Sequence, residues 1–383
     1  FIMVKDSMLP LISSLKLENY KDPFLIFRPN TLIKSVKYFT NGFSGKVIYA
    51  VKSNPSRYIL ETIFNQGVTS FDVASINEVK IVRKLFPKAN IFFMNPIKPK
   101  HSITEAYFKY NVRNFSIDAE EELEKIIIQT NNADDLKLHI RLAIPNDFAK
   151  INLSGKFGVN PENAIKLINK SSKYASKIGI SFHPGSQCMH TDAYKTGIKI
   201  SGEVVKKCNN KIDYFNVGGG FPSIYEGIKP PPLESYFKVI KHEFSLINKN
   251  NMTLIAEPGR ALVAECISLI VRVDLRKGNK LYINDGIYGN LHAAGKPGFS
   301  FPVRMISKKN RLMNKVPFSF YGPTCDSNDF MVGPFHLPMN IDEGDFIEIG
   351  HLGAYSHTMK TNFNGFLYSN RVFISRDKLI LDI

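Results

Sequence analysis

The chain has 383 residues, of which 50 are lysine or arginine and 34 are aspartate or glutamate, giving a formal net charge of +16. A chain of this length is too long to form one small hydrophobic core. It therefore predicts two domains, or one barrel with an added segment. The basic residues are scattered, which argues against a nucleic-acid-binding face, and no apolar run is long enough to span a membrane. No segment has the pattern of a signal peptide, so we expect a cytoplasmic protein.

The four cysteines, Cys188, Cys208, Cys266 and Cys325, form no CxxC pair. We therefore expect no structural zinc site and no other metal. We interpret the first three as small buried hydrophobic residues.

Short apolar, β-branched runs alternate with amphipathic segments from about residue 45 to residue 260. Strands that alternate with helices predict a parallel sheet, and eight such units predict an α/β fold of the (β/α)₈ TIM-barrel type. The predicted strands are Lys46–Val51, Ser70–Ala74, Asn90–Met94, Asn114–Ile117, Lys137–Ala143, Ile178–Phe182, Tyr214–Val217 and Thr253–Ala256.

Each predicted strand has a polar residue or glycines at or near its carboxyl end. Active sites of this barrel lie at the carboxyl ends of the strands, so we expect these residues to surround one site. They are Lys52, Asp72, Asn95, Asp118, Arg141, His183, the glycines at 218 to 220, and Glu257.

The alternation ends near residue 264, and a second region of strands without large intervening helices follows. Ile267–Val273, Lys280–Ile283, Phe346–Ile349 and Arg371–Ile374 predict a mainly antiparallel β domain, which the short apolar stretch Phe24–Arg28 joins. We therefore predict a barrel domain over residues 29–264 and a β domain formed by residues 1–28 and 265–383.

Several of these residues have a chemical and a structural interpretation. Lys52 ends a buried strand, where loss of hydration favours a neutral amine able to form a Schiff base, but a lysine extending to the barrel mouth fits equally. Gly218, Gly219 and Gly220 allow backbone N–H groups to approach an anion, or form an ordinary tight turn.

Three later motifs also allow both a chemical and a structural interpretation. Glu257 and Arg260 suit a ring nitrogen and a phosphate, or form an ion pair that closes the barrel. His183 suits a planar ring and Ser186 suits a phosphate; alternatively, the His183 side chain only forms hydrogen bonds within the top of the barrel. Cys325 and Asp326 present a thiol and a carboxylate, or cap a loop.

Nine motifs, taken in order, resemble those of the ornithine decarboxylase group of fold-type III pyridoxal-phosphate (PLP) enzymes. They extend over nearly the whole chain. The resemblance implies a barrel with a β domain, PLP as cofactor, and a homodimer in which the β domain contributes to the partner's active site. The motifs are AVKSN, FDVAS, LSGKFGV, FHPGSQ, NVGGGFP, EPGRALVAE, INDGIYG, GPTCDSND and LGAYSHTM.

The resemblance also implies roles for individual residues. Lys52 would bond PLP, Glu257 would pair with the pyridine nitrogen, and His183 would stack on the ring. Asp72 and Arg141 would orient the lysine and the ring. Cys325 would return a proton to the substrate carbon, and Asp326 would bind the distal ammonium of the substrate. The phosphate would be bound by Ser186, Gly218, Gly219, Gly220, Arg260 and Tyr355.

This resemblance predicts decarboxylation of L-ornithine to putrescine and CO₂. One departure bears on the substrate, because family members usually carry a second acidic residue after INDGIYG and the run from His292 to Lys296 has none. Asp329 or a water is a candidate replacement. The alternatives are a decarboxylase of another diamino acid, lysine or diaminopimelate, and a catalytically silent regulatory homologue.

Overall fold

The computed structural model describes residues 16–145, 147–151, 155–248, 251–306, 314–366 and 371–375. The chain divides into two compact units. The barrel unit comprises Val36–Pro222 and Pro230–Ala261, and the β unit comprises Phe1–Ser35, Ser223–Lys229 and Leu262–Ile383. Within the described ranges, no helix is both long enough and apolar enough to cross a membrane.

The strands in the described residues are β1 Phe24–Phe27, β2 Lys46–Val47, β3 Tyr49–Ala50, β4 Ser70–Val73, β5 Asn90–Phe93, β6 Asn114–Ile117, β7 Leu136–Arg141, β8 Ala149–Ile151, β9 Ala175–Ser181, β10 Ser186–Cys188, β11 Tyr214–Asn216, β12 Thr253–Ala256, β13 Ile267–Lys277, β14 Lys280–Ile283, β15 Val303–Ile306, β16 Lys315–Tyr321, β17 Phe330–Pro338, β18 Phe346–Ile349 and β19 Val372–Ile374. The α-helices are α1 Pro29–Gly42, α2 Arg57–Asn65, α3 Ile76–Leu85, α4 Lys100–Thr104, α5 Glu120–Gln129, α6 Pro161–Ser171, α7 Asp192–Lys207, α8 Leu233–Ile247 and α9 Arg260–Val263.

A parallel sheet in the order β2–β12–β11–β9–β7–β6–β5–β4–β3 forms the barrel unit. Its end segments, β2 and β3, are two halves of one strand that are separated by Ile48. The first half pairs with β12 and the second half with β4, so this strand closes the sheet on itself. The predicted α/β barrel is confirmed.

The predicted barrel strands agree closely with the structure. Asn114–Ile117 and Thr253–Ala256 have the predicted bounds, whereas the first strand is divided at Ile48. Sequence analysis did not predict β8 and β10, which pair with each other antiparallel at the carboxyl side of their neighbours. Leu153 and Ser154 of the LSGKFGV motif lie outside the described residues.

The β unit is mainly antiparallel, as predicted. One path runs β15–β18–β13–β14–β16–β17, and β1 pairs with β13 antiparallel and with β19 parallel. The pair of β14 and β16 is also parallel. Sequence analysis missed β16 and β17 because Pro317 and the Gly333–Pro334 step within them read as turn signals.

A buried ion-pair network lies inside the β unit. Glu348 accepts hydrogen bonds from Arg28 Nη2 at 2.5 Å and from Arg304 Nε at 2.6 Å, and Arg28 Nη1 also donates to Ser268 Oγ at 2.6 Å. Glu348 and Ser268 are almost fully buried. One carboxylate thus pairs with two guanidinium groups and links the end of β1 to β13, β15 and β18.

We predict that Glu348→Gln lowers the free energy of unfolding by about 3 kcal/mol, because it leaves buried guanidinium charge without a counter-charge. Urea denaturation of the purified variant measures this change. Glu343→Gln removes an exposed carboxylate of the same unit and should change the free energy by less than about 0.5 kcal/mol. Equal stability of the two variants would contradict the structural role of the network.

Candidate active site

Lys52 and Asp72 form an ion pair at the carboxyl end of the barrel. Lys52 follows β3, Asp72 lies on β4, and the distance from Nζ to Oδ2 is 3.1 Å. The Asp72 side chain is 2% exposed, whereas that of Lys52 is 41% exposed. The carboxylate is therefore fixed inside the barrel and holds an amine that remains accessible from the mouth.

Glu257 follows the last barrel strand and is linked to the glycine-rich turn through Asn216. Asn216 Nδ2 donates to Glu257 Oε1 at 2.6 Å, and Asn216 Oδ1 accepts from Gly218 N at 2.9 Å. Asn216 is fully buried. Sequence analysis missed this role, although the residue lies within NVGGGFP and two positions before the first glycine.

The charges of these residues act on one another. Burial, followed by the charge of Asp72, raises the pKa of Glu257 to about 7, and Lys52 and Arg141 oppose the shift. Burial lowers the pKa of Arg141, against the carboxylates of Glu257, Asp118 and Asp72. Residues from the first, second, fifth and last strands therefore converge on one small region.

His183 joins this cluster as a neutral ring. Burial, followed by the charges of Arg141 and Lys52, places its pKa well below the ordinary value. Gly185 N donates to His183 Nδ1 at 3.1 Å, so that nitrogen carries a lone pair and the proton belongs to Nε2. A Cβ added to Gly219 would lie 3.1 Å from His183 Nε2, which shows how closely the turn approaches the ring.

The predicted anion-binding residues are also brought together. Arg260 Nη2 lies 3.4 Å from Ser186 Oγ, and Cys188 N, two residues further along β10, donates to Gly220 O at 2.9 Å. Gly220 has a φ of 89° and lies against Gly185 O, so only glycine fits there. A guanidinium, a hydroxyl and a glycine-rich backbone thus form one polar wall.

Two buried tyrosines donate hydrogen bonds to backbone carbonyl groups of this polar wall. Tyr194 OH on α7 donates to Gly219 O at 2.7 Å, and Tyr236 OH on α8 donates to Cys188 O at 2.8 Å. Both side chains are fully buried. Sequence analysis missed them because an aromatic residue on an amphipathic helix is indistinguishable from an ordinary core residue.

Cys325, Asp326 and Tyr355 belong to the β unit. Cys325 is exposed, and its N–H donates to Asn364 Oδ1 at 3.0 Å. Asp326 accepts from Tyr288 OH and, at 2.9 Å, from Asn328 N, and these bonds hold its pKa below the ordinary value. Tyr355 is half-buried with a φ of 54°.

Two other carboxylates of this region are already used by the backbone. Asp329 is buried and accepts from Ile287 N at 2.8 Å and from Thr324 N and Oγ1 at 3.1 and 2.8 Å. Asp285 is buried and accepts from Asn290 N and Nδ2 at 2.8 and 2.6 Å. Asp329 is therefore a poor replacement for the missing acidic residue, because its two oxygens hold the loops together.

The donor set of the barrel cluster fits PLP. It combines a primary amine for the aldehyde, a carboxyl group with a pKa near 7 for the pyridine nitrogen, a flat neutral imidazole, and an arginine with a serine for the phosphate. A (β/α)₈ barrel with these groups at the carboxyl ends of its strands defines a PLP-dependent enzyme.

Comparison with known proteins agrees. The family model described as the pyridoxal-binding domain of pyridoxal-dependent decarboxylases matches residues 30–264. A lysine/ornithine decarboxylase of Selenomonas ruminantium is 30% identical over 84% of this chain and 81% of its own length. Antizyme inhibitor 2 of Xenopus laevis is 27% identical over 96% of this chain and 84% of its own.

The fold is likewise shared with solved structures. The arginine decarboxylase of Paramecium bursaria Chlorella virus, bound to agmatine, superposes with a TM-score of 0.82 at 26% identity, covering 94% of this chain and 98% of that one. The chain belongs to the pyridoxal-dependent decarboxylase family, in the group that contains the ornithine decarboxylases. It is a PLP-dependent carboxy-lyase that acts on a basic amino acid.

We predict that Glu257 makes the PLP-free protein less stable as the pH rises. Its pKa is raised from an ordinary 4.5 to about 7, so its contribution is fully present below pH 4.5 and is lost as the pH rises through about 7. Glu257→Gln keeps a neutral side chain at every pH. In urea denaturation from pH 4.5 to 8, the variant should therefore lose less stability with rising pH than the parent protein.

Glu162→Gln, which changes an exposed carboxyl on α6, is the matched control and should follow the parent profile. If the profiles of Glu257→Gln and the parent protein coincide, the raised pKa is wrong.

Proposed function

We propose that the protein decarboxylates L-ornithine to putrescine and CO₂. The proposal rests on the exposure and the hydrogen bonding of three carboxylates around the GPTCD loop. Asp285 and Asp329 are buried and bound to backbone N–H groups. Asp326 also accepts hydrogen bonds, but it is partly exposed next to Cys325, and these bonds lower its pKa. Asp326 is thus a charged carboxylate available to the distal ammonium of a diamino acid.

The barrel cluster would hold PLP through its own donors. Lys52 Nζ would form the bond to the aldehyde, and Asp72 would fix the position of this nitrogen. Glu257 Oε1 already accepts from Asn216 Nδ2, so Oε2 would accept a hydrogen bond from the protonated pyridine nitrogen. Arg260 and Ser186, with the turn from Gly218 to Gly220 and with Tyr355, would bind the phosphate.

Bound PLP supplies an electron sink for the electron pair that remains when the substrate carboxylate leaves as CO₂. Arg141, whose pKa is lowered by burial, and the neutral His183 would orient the ring and keep this region poor in water. Cys325 Sγ of the partner subunit would return one proton to the same carbon. The loss of CO₂ and the gain of this proton turn the amino acid into a diamine.

We also propose a homodimer with shared active sites. The support is the division of the predicted residues, since Lys52, Asp72 and Glu257 belong to the barrel unit while Cys325 and Asp326 belong to the β unit. In the proposed assembly, Cys325 and Asp326 of the partner subunit face Lys52. A complete site then requires two chains.

Two alternatives remain as outcomes of the assays below. A preference for lysine or diaminopimelate is favoured by the absence of a carboxylate from His292 to Lys296. A silent regulatory homologue is favoured by the similarity to an antizyme inhibitor, and is opposed by the intact pair of Lys52 and Asp72.

We predict that the PLP-loaded protein releases CO₂ from ornithine with a higher kcat/KM than from lysine, diaminopimelate or arginine. The amine product of each reaction is identified alongside CO₂. Asp326→Asn should lower kcat/KM for ornithine by roughly 30-fold or more, which corresponds to about 2 kcal/mol for a lost charge pair. Glu343→Gln, an exposed change in the same unit, should leave the rate unchanged.

A higher kcat/KM for another amino acid would replace ornithine as the substrate. Bound PLP without CO₂ release from any of the four would favour the regulatory homologue.

Subunit mixing tests the shared site. Lys52→Ala and Cys325→Ala should each have little activity alone, because each removes a group that every site needs. After mixing and exchange of subunits, random pairing gives half heterodimers with one intact site each, so about a quarter of the parent activity should return. If mixing restores no activity although heterodimers are detected, both residues act within one chain.

A further inference from the structure

A second group of charged residues lies at the amino-terminal ends of the barrel strands. It is at the opposite end of the barrel from Lys52, Asp72 and Glu257. In the described residues, Lys46 on β2, Lys137 on β7 and Lys177 on β9 occupy this end of the inner face. Lys137 and Lys177 are direct cross-strand neighbours. Lys46 shares a register row with Arg141 through Ile255, Asn216 and Ser181, and Arg141 faces the interior.

These lysines repel one another. Burial, followed by the charge of Lys137, lowers the pKa of Lys46. Like charges directly opposite each other in a sheet are destabilising. Among the described residues, none of the three forms an ion pair, and the carboxylates of neighbouring loops are used elsewhere. Asp135 pairs with Arg113 at 2.5 Å, and Asp213 pairs with Lys211 at 3.4 Å.

Within the described part of the chain, the other strands contribute no charged side chain to this end of the inner face. Parallel register partners share a face, so the positions next to the lysines can be read from the pairing. Ser70 is buried, and its Oγ has no hydrogen-bond partner among the described residues. The neutral residues at this level are Ser70, Asn90, Asn114, Tyr214 and Thr253.

Aromatic rings form the floor beneath the lysines. Lys46 Nζ lies 5.2 Å from the centre of the Phe92 ring, and Lys177 Nζ lies 5.5 Å from that of Tyr214. His139 lies between these rings at 5.6 and 5.4 Å, and burial lowers its pKa to about 3, so it adds no charge. The rings beneath Lys46 and Lys177 each exclude water from one side of the ammonium group, which strengthens its attraction for an anion.

We propose that the amino-terminal mouth of the barrel binds a small, multiply charged oxyanion of the phosphate class. Among the described residues, three ammonium groups and the unpaired hydroxyl of Ser70 occupy this end of the inner face without a carboxylate. A phosphate dianion bound there would remove the repulsion between the lysines. The shared chemistry is the phosphate group, either as the free ion or on a small metabolite. This site lies in the barrel unit and does not depend on the proposed substrate.

The test uses the PLP-saturated protein, so that the phosphate-binding residues of the cofactor are already engaged. Inorganic phosphate and glycerol phosphate are titrated separately by calorimetry against sodium chloride at equal ionic strength. Lys137→Gln and Lys177→Gln should each weaken binding about tenfold, the equivalent of one lost charged hydrogen bond. Lys166→Gln removes an equal charge from the exposed side of α6 and should bind as the parent protein does.

Binding of inorganic phosphate alone would identify the free ion as the ligand, and binding of both would extend the site to phosphorylated metabolites. The proposal is overturned if neither binds more strongly than chloride, or if all three variants bind like the parent.

A second measurement does not depend on the ligand. Without phosphate, Lys137→Gln and Lys177→Gln should raise the melting temperature relative to Lys166→Gln, because each removes repulsion within the ring. Lys177 is exposed, so its replacement leaves the packing intact. A melting temperature below that of Lys166→Gln in both variants would show that the lysines stabilise the barrel by themselves, and the proposal would be wrong.

Discussion

The site depends on the way the first strand closes the barrel. Its first half pairs with the last strand and its second half pairs with the next strand, with the change of neighbour at Ile48. Lys52 therefore emerges between Asp72 on one side and Glu257 on the other. Gly259 permits this closure, because a Cβ there would lie 3.0 Å from Ser53 and 3.3 Å from Ala50.

The closure of the barrel also explains why the pKa of Glu257 is raised at the carboxyl ends of the strands. Carboxyl groups held inside a ring of strands lose water, so their charged forms are disfavoured unless a cation compensates. Asp72 has Lys52 as its partner, whereas Glu257 has the neutral amide of Asn216. In the proposed site, Glu257 would become charged when a protonated ring nitrogen faces it, and the binding of the cofactor would offset the cost of burying this carboxylate.

Much of the barrel could be predicted from sequence, because the strand spacing and the polar residue near the carboxyl end of each strand are local signals. The same signals brought Lys52, Asp72, His183 and Glu257 to one end of the sheet. The residues that hold the backbone of the site in place could not be predicted. Tyr194 and Tyr236 act through single hydroxyl bonds to carbonyls distant in sequence, and only the packing of α7 and α8 creates those bonds.

The lysines at the opposite end were also hidden from sequence reasoning. Lys46, Lys137 and Lys177 are separated by long stretches of chain, and each alone is an ordinary lysine near the start of a strand. Register places Lys137 beside Lys177 and puts all three lysines on the inner face of the sheet. A scattered distribution of charge along a sequence therefore does not exclude a concentrated charge in a closed sheet.

The carboxylates of the β unit show that a motif can contain more charged residues than a ligand can contact. Asp285 and Asp329 lie in motifs typical of substrate recognition, yet their oxygens bind backbone N–H groups and hold two loops in place. Gly286 and Gly322 are required there, since a Cβ at either position would collide with Asp329. In the proposed site, a single carboxylate, Asp326, then recognises the distal ammonium. Discrimination between ornithine and lysine would depend on the length of the substrate side chain rather than on the number of charges.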